Sequence, residues 1–170
     1  YLPLGVVLSI MPWNFPLWQV MRGTVPMMLS GNAVVLKHAP NCVGSAINVA
    51  EAFEAAGAPK GAFSVFNIHQ SDVAAVLADD RIAAVNLTGS VRAGAAVAAE
   101  AGRNIKKSVL ELGGSDAFIV LADANLEQAV DAAIAARFLN SGQVCVAAKR
   151  MIVEAPIAEE FTARLAAKVR

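Results

Sequence analysis

Residues 140–145, Asn-Ser-Gly-Gln-Val-Cys, form a small-residue loop that delivers one cysteine, Cys145, after a long amphipathic segment. Thiols react as thiolates and are strong nucleophiles near neutral pH, so a cysteine at the end of a Gly-containing turn suits covalent attack on a carbonyl. A lone cysteine among apolar residues is also a common small buried hydrophobe. Its company upstream tilts the reading toward chemistry: Asn14 in Pro12-Trp13-Asn14-Phe15-Pro16, Lys37, the turn Thr88-Gly89-Ser90, and Glu111 in Leu110-Glu111-Leu112-Gly113-Gly114. Taken singly, each has an ordinary explanation: a turn residue, a solvated surface charge, a helix cap and a strand-end acid.

The elements that must position these residues alternate between strand and helix. A nearly all-apolar run over 4–10 reads as a strand buried on both faces, ending at the 12–16 turn. A helix is expected from Pro16, where the missing N–H costs nothing, with Pro26 kinking or shortening it. Strands follow at 33–37 and 63–67, separated by a loop at 38–41 and a helix at 43–56 that Gly57 closes. A helix over 71–77, capped near Ser71 or Gln70, leads to a strand at 82–88. Gly89-Ser90 opens a helix over 91–101, and a strand at 107–112 runs into Gly113-Gly114. A short strand at 117–121 precedes a helix reaching Asn140, capped by Asp123 or Asn125, with Leu126, Ala129, Val130, Ala133, Ile134 and Phe138 as one apolar stripe. A strand at 149–154 and a helix from Ala158 close the chain.

Such alternation predicts an α/β, doubly wound, mostly parallel sheet with helices on both faces. In an open parallel sheet, ligands bind beyond the carboxyl ends of the strands, and Asn14, Lys37, Ser90 and Glu111 all fall at or just after such ends. The 88–90 turn, with Gly94 four residues on, places backbone N–H groups and a positive helix end where a pyrophosphate could bind, although the usual G-x-G-x-x-G pattern is absent. A capped helix with Gly94 for tight packing would look the same. Lys37, ending the neighbouring strand, could donate to an adenosine ribose or a phosphate.

Composition narrows the alternatives. The 170 residues are 56% hydrophobic, enough for a sizeable core, and carry 14 basic and 14 acidic side chains, so net charge recruits neither nucleic acid nor an anionic membrane. Two distant cysteines, Cys42 and Cys145, make no disulfide framework, which fits a cytoplasmic setting. No metal site, signal peptide or transmembrane helix is expected. The chain starts at Tyr1 and ends at Arg170 inside an expected helix, so a fragment is anticipated.

Three motifs in register, Pro12-Trp13-Asn14-Phe15-Pro16, Leu110-Glu111-Leu112-Gly113-Gly114-Ser115 and Gly142-Gln143-Val144-Cys145, resemble the signature set of the aldehyde dehydrogenase superfamily, in its order and near its spacing. The resemblance runs from about Leu2 to the end. Residues 16–22, 36–41 and 91–94 look like those of bacterial NAD(P)-dependent succinate-semialdehyde dehydrogenases. It implies a variant Rossmann-like cofactor domain, its C-terminal part at 1–112, running into the beginning of the catalytic domain at 113–170. It also implies that Cys145 attacks the aldehyde carbon, that the Asn14 side chain and the Cys145 backbone N–H form an oxyanion hole, and that Glu111 activates the water that hydrolyses the thioester. The cofactor contacts it implies are Trp13, Lys37 for the adenosine ribose, Ser90 for the pyrophosphate, and the backbone around Leu112 and Gly113 for the nicotinamide.

Three positions depart from that pattern. Arg22 stands where related enzymes hold the far carboxylate of a dicarboxylic semialdehyde, but Leu139 replaces the arginine expected six residues before the cysteine. Pro40, beside His38, replaces a glutamate that would repel a 2′-phosphate, so either NAD or NADP is expected. Leu87 replaces the usual Phe before the 88–90 turn, a change of packing. The family is longer, so the resemblance implies a central piece of a homo-oligomeric enzyme oxidising succinate semialdehyde or a related aldehyde, and the piece alone is expected to be inactive. The competing readings are an inactive truncated binding or assembly module and a CoA-acylating relative, against which Glu111 argues.

Overall fold

A computed structural model describes residues 2–169 of the protein. The chain divides into two compact units, one ending at Leu112 and the other beginning at Gly113. In the first, strands β1 (Val6–Met11), β2 (Ala33–His38), β3 (Phe63–Val65), β4 (Ile82–Thr88) and β5 (Lys107–Glu111) form one sheet in the order β3-β2-β1-β4-β5. Every pairing is parallel. Helices α1 (Trp18–Leu29), α2 (Val43–Ala55), α3 (Val73–Ala78) and α4 (Val91–Arg103) make the connections. The chain winds outward from β1 through β2 to β3, then crosses back to β4 and β5, so the winding reverses between β1 and β4.

Strand alternation assigns the two layers. Leu8, Val35, Val85 and Leu87 pack with Val73 and Leu77 of α3 and Val97 and Ala101 of α4. Met11 and Leu36 pack with Val20 of α1 and Ala46 and Val49 of α2. Ser9 is also fully buried, so β1 is not purely apolar inside. Gly23 of α1 lets the helix approach β4, because a Cβ there would lie 2.8 Å from the Asn86 Nδ2.

The second unit holds a separate two-stranded parallel sheet, β6 (Asp116–Val120) with β7 (Ala148–Val153), covered by α5 (Leu126–Phe138) and α6 (Ala155–Val169). Val120, Val130, Ala133 and Phe161 centre its core, with Leu126, Ala129 and Ile134 packed against it. Phe138, expected in the same stripe, is exposed. Asn125 caps α5, its side chain accepting from Gln128 N–H at 3.2 Å.

Several expected boundaries move for identifiable reasons. The strands that flank Gly113-Gly114 belong to different ladders, the first closing the five-stranded sheet and the second opening the two-stranded one. Helix α1 begins at Trp18 rather than Pro16 and runs past Pro26 to Leu29, where the Ser30 hydroxyl and N–H both donate to the Pro26 carbonyl and close the last turn. The loop after β2 contains a 3₁₀ turn, Pro40–Cys42, and β3 stops at Val65. His69, not Ser71 or Gln70, caps the segment before α3, in a reciprocal box with Asp72. Helix α5 ends before Asn140, and α6 starts at Ala155, with Pro156 tolerated in its first turn. Gly57 sits at φ +80° just beyond α2, the left-handed position expected of it. Among the described residues no helix is long and apolar enough to cross a membrane.

Leu8 is fully buried on the central strand, whereas Leu29 is 84% exposed. Leu8→Ala should lower the unfolding free energy by about 3 kcal/mol, and Leu29→Ala by less than about 0.5 kcal/mol, as read from urea midpoints at unchanged slope.

Candidate functional site

The reversal of winding between β1 and β4 opens a crevice at the carboxyl ends of the strands, where open α/β sheets hold ligands. A cleft of about 770 Å³ lies there, lined by Ile10 and Met11 at the end of β1, Lys37 on β2, Leu87 and Thr88 on β4, and residues of α3 and α4. Trp13, Lys37 and Ser90, three of the residues expected to meet a cofactor, all line this one cleft. Pro40 lines it as well.

Lys37 differs from a solvated surface charge. Its side chain is buried, and its Nζ donates to the His38 carbonyl at 3.4 Å. Ser90 is the N-cap of α4, its hydroxyl accepting from Ala93 N–H at 3.2 Å, so it completes the first turn of a helix whose positive end faces the cleft rim. The turn is fastened to the neighbouring strand, since Gly89 N–H donates to the Glu111 carbonyl at 2.9 Å. Gly94 takes the close-packing role weighed as the alternative for this turn: a Cβ there would lie 2.5 Å from Leu112 Cδ2. Leu112 is thereby held against α4, one residue before the boundary at Gly113.

Glu111 ends β5 opposite Thr88 and lines a second cleft of about 400 Å³ with Arg22, Gln19, Asn86 and Thr88. Arg22 Nη2 lies 4.0 Å from Glu111 Oε2, and both side chains are about half exposed. Such a pair is worth little as a stabilising contact but places a guanidinium beside a carboxylate that water can reach. Asn14 is half-buried in the bend between Trp13 and Phe15.

Cys145 belongs to the connection between β6 and β7. After α5 the chain takes the left-handed conformation three times in succession, at Asn140 (φ 49°), Ser141 (φ 57°) and Gly142 (φ 76°). Two of these are not glycine, and such backbone costs of the order of 1 kcal/mol or more per residue unless surrounding bonds hold it. The bonds are present. Gln143 N–H closes on the Asn140 carbonyl at 3.1 Å, and Arg137 Nη1 donates to the Gly142 carbonyl at 3.3 Å. Lys149 Nζ donates to the Cys145 carbonyl at 2.7 Å and to that of Val144 at 3.2 Å. Glycine suits 142, at φ 76°, where a Cβ would lie 2.5 Å from the mobile end of the Arg137 side chain and 3.1 Å from the Arg137 carbonyl. Gly114 also passes close, its Cβ position 3.6 Å from the Cys145 carbonyl. Arg137 and Lys149 were not among the expected site residues; the signal for Lys149 is its place four residues after the cysteine.

A family model described as the aldehyde dehydrogenase family matches residues 1–170. The chain belongs to the aldehyde dehydrogenase family. It is 59% identical over 167 residues to the NAD(P)+ succinate semialdehyde dehydrogenase of Escherichia coli K12, covering 98% of this chain and 36% of that protein. It is 54% identical to a probable NADP+ succinate-semialdehyde dehydrogenase of Synechocystis, over 97% of this chain and 36% of that one. Among solved structures, the succinic semialdehyde dehydrogenase of Streptococcus pyogenes, in complex with NADP+, matches with a TM-score of 0.92 at 45% identity, over 95% of this chain and 35% of that chain. This aldehyde dehydrogenase chain therefore spans little more than a third of the relatives it matches.

The two cysteines of this family member have opposite environments. Cys42 is buried, burial raises its thiol pKa, and its Sγ faces the Trp13 carbonyl, whereas Cys145 is only partly buried in its loop. A colorimetric disulfide reagent at neutral pH should label one thiol rapidly in the native protein and the second only on unfolding. Peptide mapping should place the rapid label on Cys145.

Proposed function

We propose that this chain supplies the cofactor cleft and the reactive cysteine of an NAD(P)-dependent aldehyde dehydrogenase that oxidises succinate semialdehyde to its acid. The observation that carries the reading is the convergence of Trp13, Lys37 and Ser90 on one cleft at the point where the sheet reverses its winding. In this reading the unit up to Leu112 is part of the cofactor domain and the unit from Gly113 begins the catalytic domain.

The cleft suits a dinucleotide on chemical grounds. Its walls include the apolar Val73, Leu77, Ala93 and Val97, its rim carries the N-terminus of a 13-residue helix, and a buried ammonium stands at the end of β2. Lys37 would hold a ribose hydroxyl, and the first turn of α4 with Ser90 would hold the pyrophosphate. Pro40 lines the cleft without a carboxylate, so no negative charge at that position opposes a 2′-phosphate, and either NAD or NADP is accepted. When bound, the nicotinamide serves as hydride acceptor.

The chain's own residues do the rest. The Cys145 thiolate adds to the aldehyde carbon, forming the C–S bond and placing negative charge on the former carbonyl oxygen. The Asn14 amide and the Cys145 N–H donate to that oxygen, each worth ~3 kcal/mol at the transition state. Loss of hydride leaves a thioester on Cys145. Glu111 takes a proton from water as it attacks the thioester carbon; the C–S bond breaks, releasing the acid and the thiolate. Arg137 braces the left-handed turn at Gly142, and Lys149 holds the carbonyls of Val144 and Cys145, through both attacks. Arg22, in the cleft with Glu111, supplies a guanidinium for the far carboxylate of the semialdehyde.

The test is reduction of NAD and NADP by the full-length protein with succinate semialdehyde. Cys145→Ala should abolish turnover. Glu111→Gln should give one burst of reduced cofactor followed by a steady state slowed by about 100-fold or more. Arg22→Gln should raise KM for succinate semialdehyde while leaving an uncharged aldehyde of the same length unaffected. Turnover surviving Cys145→Ala would overturn the reading. Equal loss on both aldehydes would remove Arg22 from the substrate site, and release of a CoA thioester in place of the acid would move the chain to the CoA-acylating branch.

A further inference from the structure

We propose that His38 is a positioning residue for the oxyanion donor, acting through the backbone of the turn that carries Asn14; the inference rests on the role given to Asn14 above. Lys37 and His38 are consecutive on β2 and so point to opposite faces: Lys37 lines the cofactor cleft, and His38 turns its ring toward the 12–16 turn. That ring is buried, 6% exposed. Its Nε2 lies 2.9 Å from the Pro16 carbonyl, and its Nδ1 lies 2.8 Å from Ala39 N.

These contacts fix the tautomer. A backbone N–H only donates, so Nδ1 accepts from Ala39, and the neutral ring carries its proton on Nε2 and donates it to Pro16. With Nδ1 occupied, its 3.3 Å approach to the Met11 carbonyl is a packing contact. The imidazole thus grips the far end of the turn while resting against its near end.

The turn needs such a grip. Pro12 and Pro16 have no N–H, so neighbouring elements can hold its two ends only through carbonyls. One such contact is the Cys42 thiol, 4.0 Å from the Trp13 carbonyl, a weak donor at long range. The His38 bond to Pro16 is a full-strength one, two residues from Asn14. An amide donor must stand within a fraction of an ångström of its transition-state position, and displacement by about 1 Å costs up to about 100-fold in rate.

The experiment measures the pre-steady-state burst of reduced cofactor in the full-length protein, with cofactor dissociation constants and melting temperatures alongside. His38→Phe, which fills the space without the donor, should slow the burst about tenfold while cofactor affinity stays within about twofold. His38→Gln, whose amide N–H can reach Pro16, should recover most of the loss. In an Asn14→Ala background, His38→Phe should cost less than about twofold more, since a misplaced donor no longer matters once it is gone. If His38→Phe does not fold, His38→Asn, which keeps an acceptor for Ala39 but is too short for Pro16, serves in the same cycle. An equal loss in both backgrounds, a loss of cofactor affinity matching the loss of rate, or no recovery with Gln at an unchanged melting temperature would overturn the proposal. A burst unchanged by Asn14→Ala would overturn both this proposal and the oxyanion assignment. A burst slowed by Asn14→Ala but not by His38→Phe would overturn only the role of His38.

Discussion

The parallel ladders on either side of β1 are the constraint on which the first unit depends. β1 pairs with β2 from Val6↔Ala33 to Met11↔His38 and with β4 up to Ile10↔Leu87, so three strands end together on one rim. β4 carries β5 with it, Thr88 opposite Glu111. Because a one-residue slip would exchange the two faces of a strand, burial of Leu8 on one side and Met11 on the other locks the register. Residues far apart in sequence, Trp13, Lys37 and Ser90, meet as a consequence of that lock.

In the second unit, order is imposed by polar contacts on a short loop. Asn140, Ser141 and Gly142 occupy conformations that the chain does not choose freely, and cationic side chains from the flanking α5 and β7 take the carbonyls of Gly142, Val144 and Cys145. A charged donor makes a stronger hydrogen bond than a neutral one, which suits a segment lacking regular secondary structure. The two units thus present their candidate groups by different means: the first on a sheet edge, the second on a braced turn.

Much of this was legible in the sequence. β4 was found to the residue because turn residues bound a β-rich apolar run, and Gly57 announced the end of α2 through its missing Cβ. The three signature segments pointed to the family, and they also supplied the candidate site residues. What escaped was tertiary in origin. The burial of Lys37 could not be read locally, because a lysine at a strand end has a solvated surface charge as its ordinary explanation and nothing in the neighbouring residues shows that the fold will enclose it. Pro26 was expected to kink or shorten α1, yet the helix runs on to Leu29 before it ends at Ser30. His69 was overlooked as a cap because histidine rarely plays that part, and the left-handed run at 140–142 gave only Gly142 as a sign. The local pattern alone did not show the break into two sheets, because β5 and β6 are consecutive and both strand-like, while hydrogen-bond partnership is a property of the fold.

The connection from β6 to β7 contains α5, the left-handed turn and Cys145, and its two ends, Val120 and Ala148, are tied to opposite ends of one parallel ladder. Helix α5 therefore acts as a ruler. Its 13 residues set both how far the turn stands from the sheet and which way it faces, and adding or removing one residue would rotate everything beyond by about 100°. Side chains along the exposed flank of α5 can vary in kind at little cost, but its length is coupled to the aim of a sulfur atom that the helix does not itself carry.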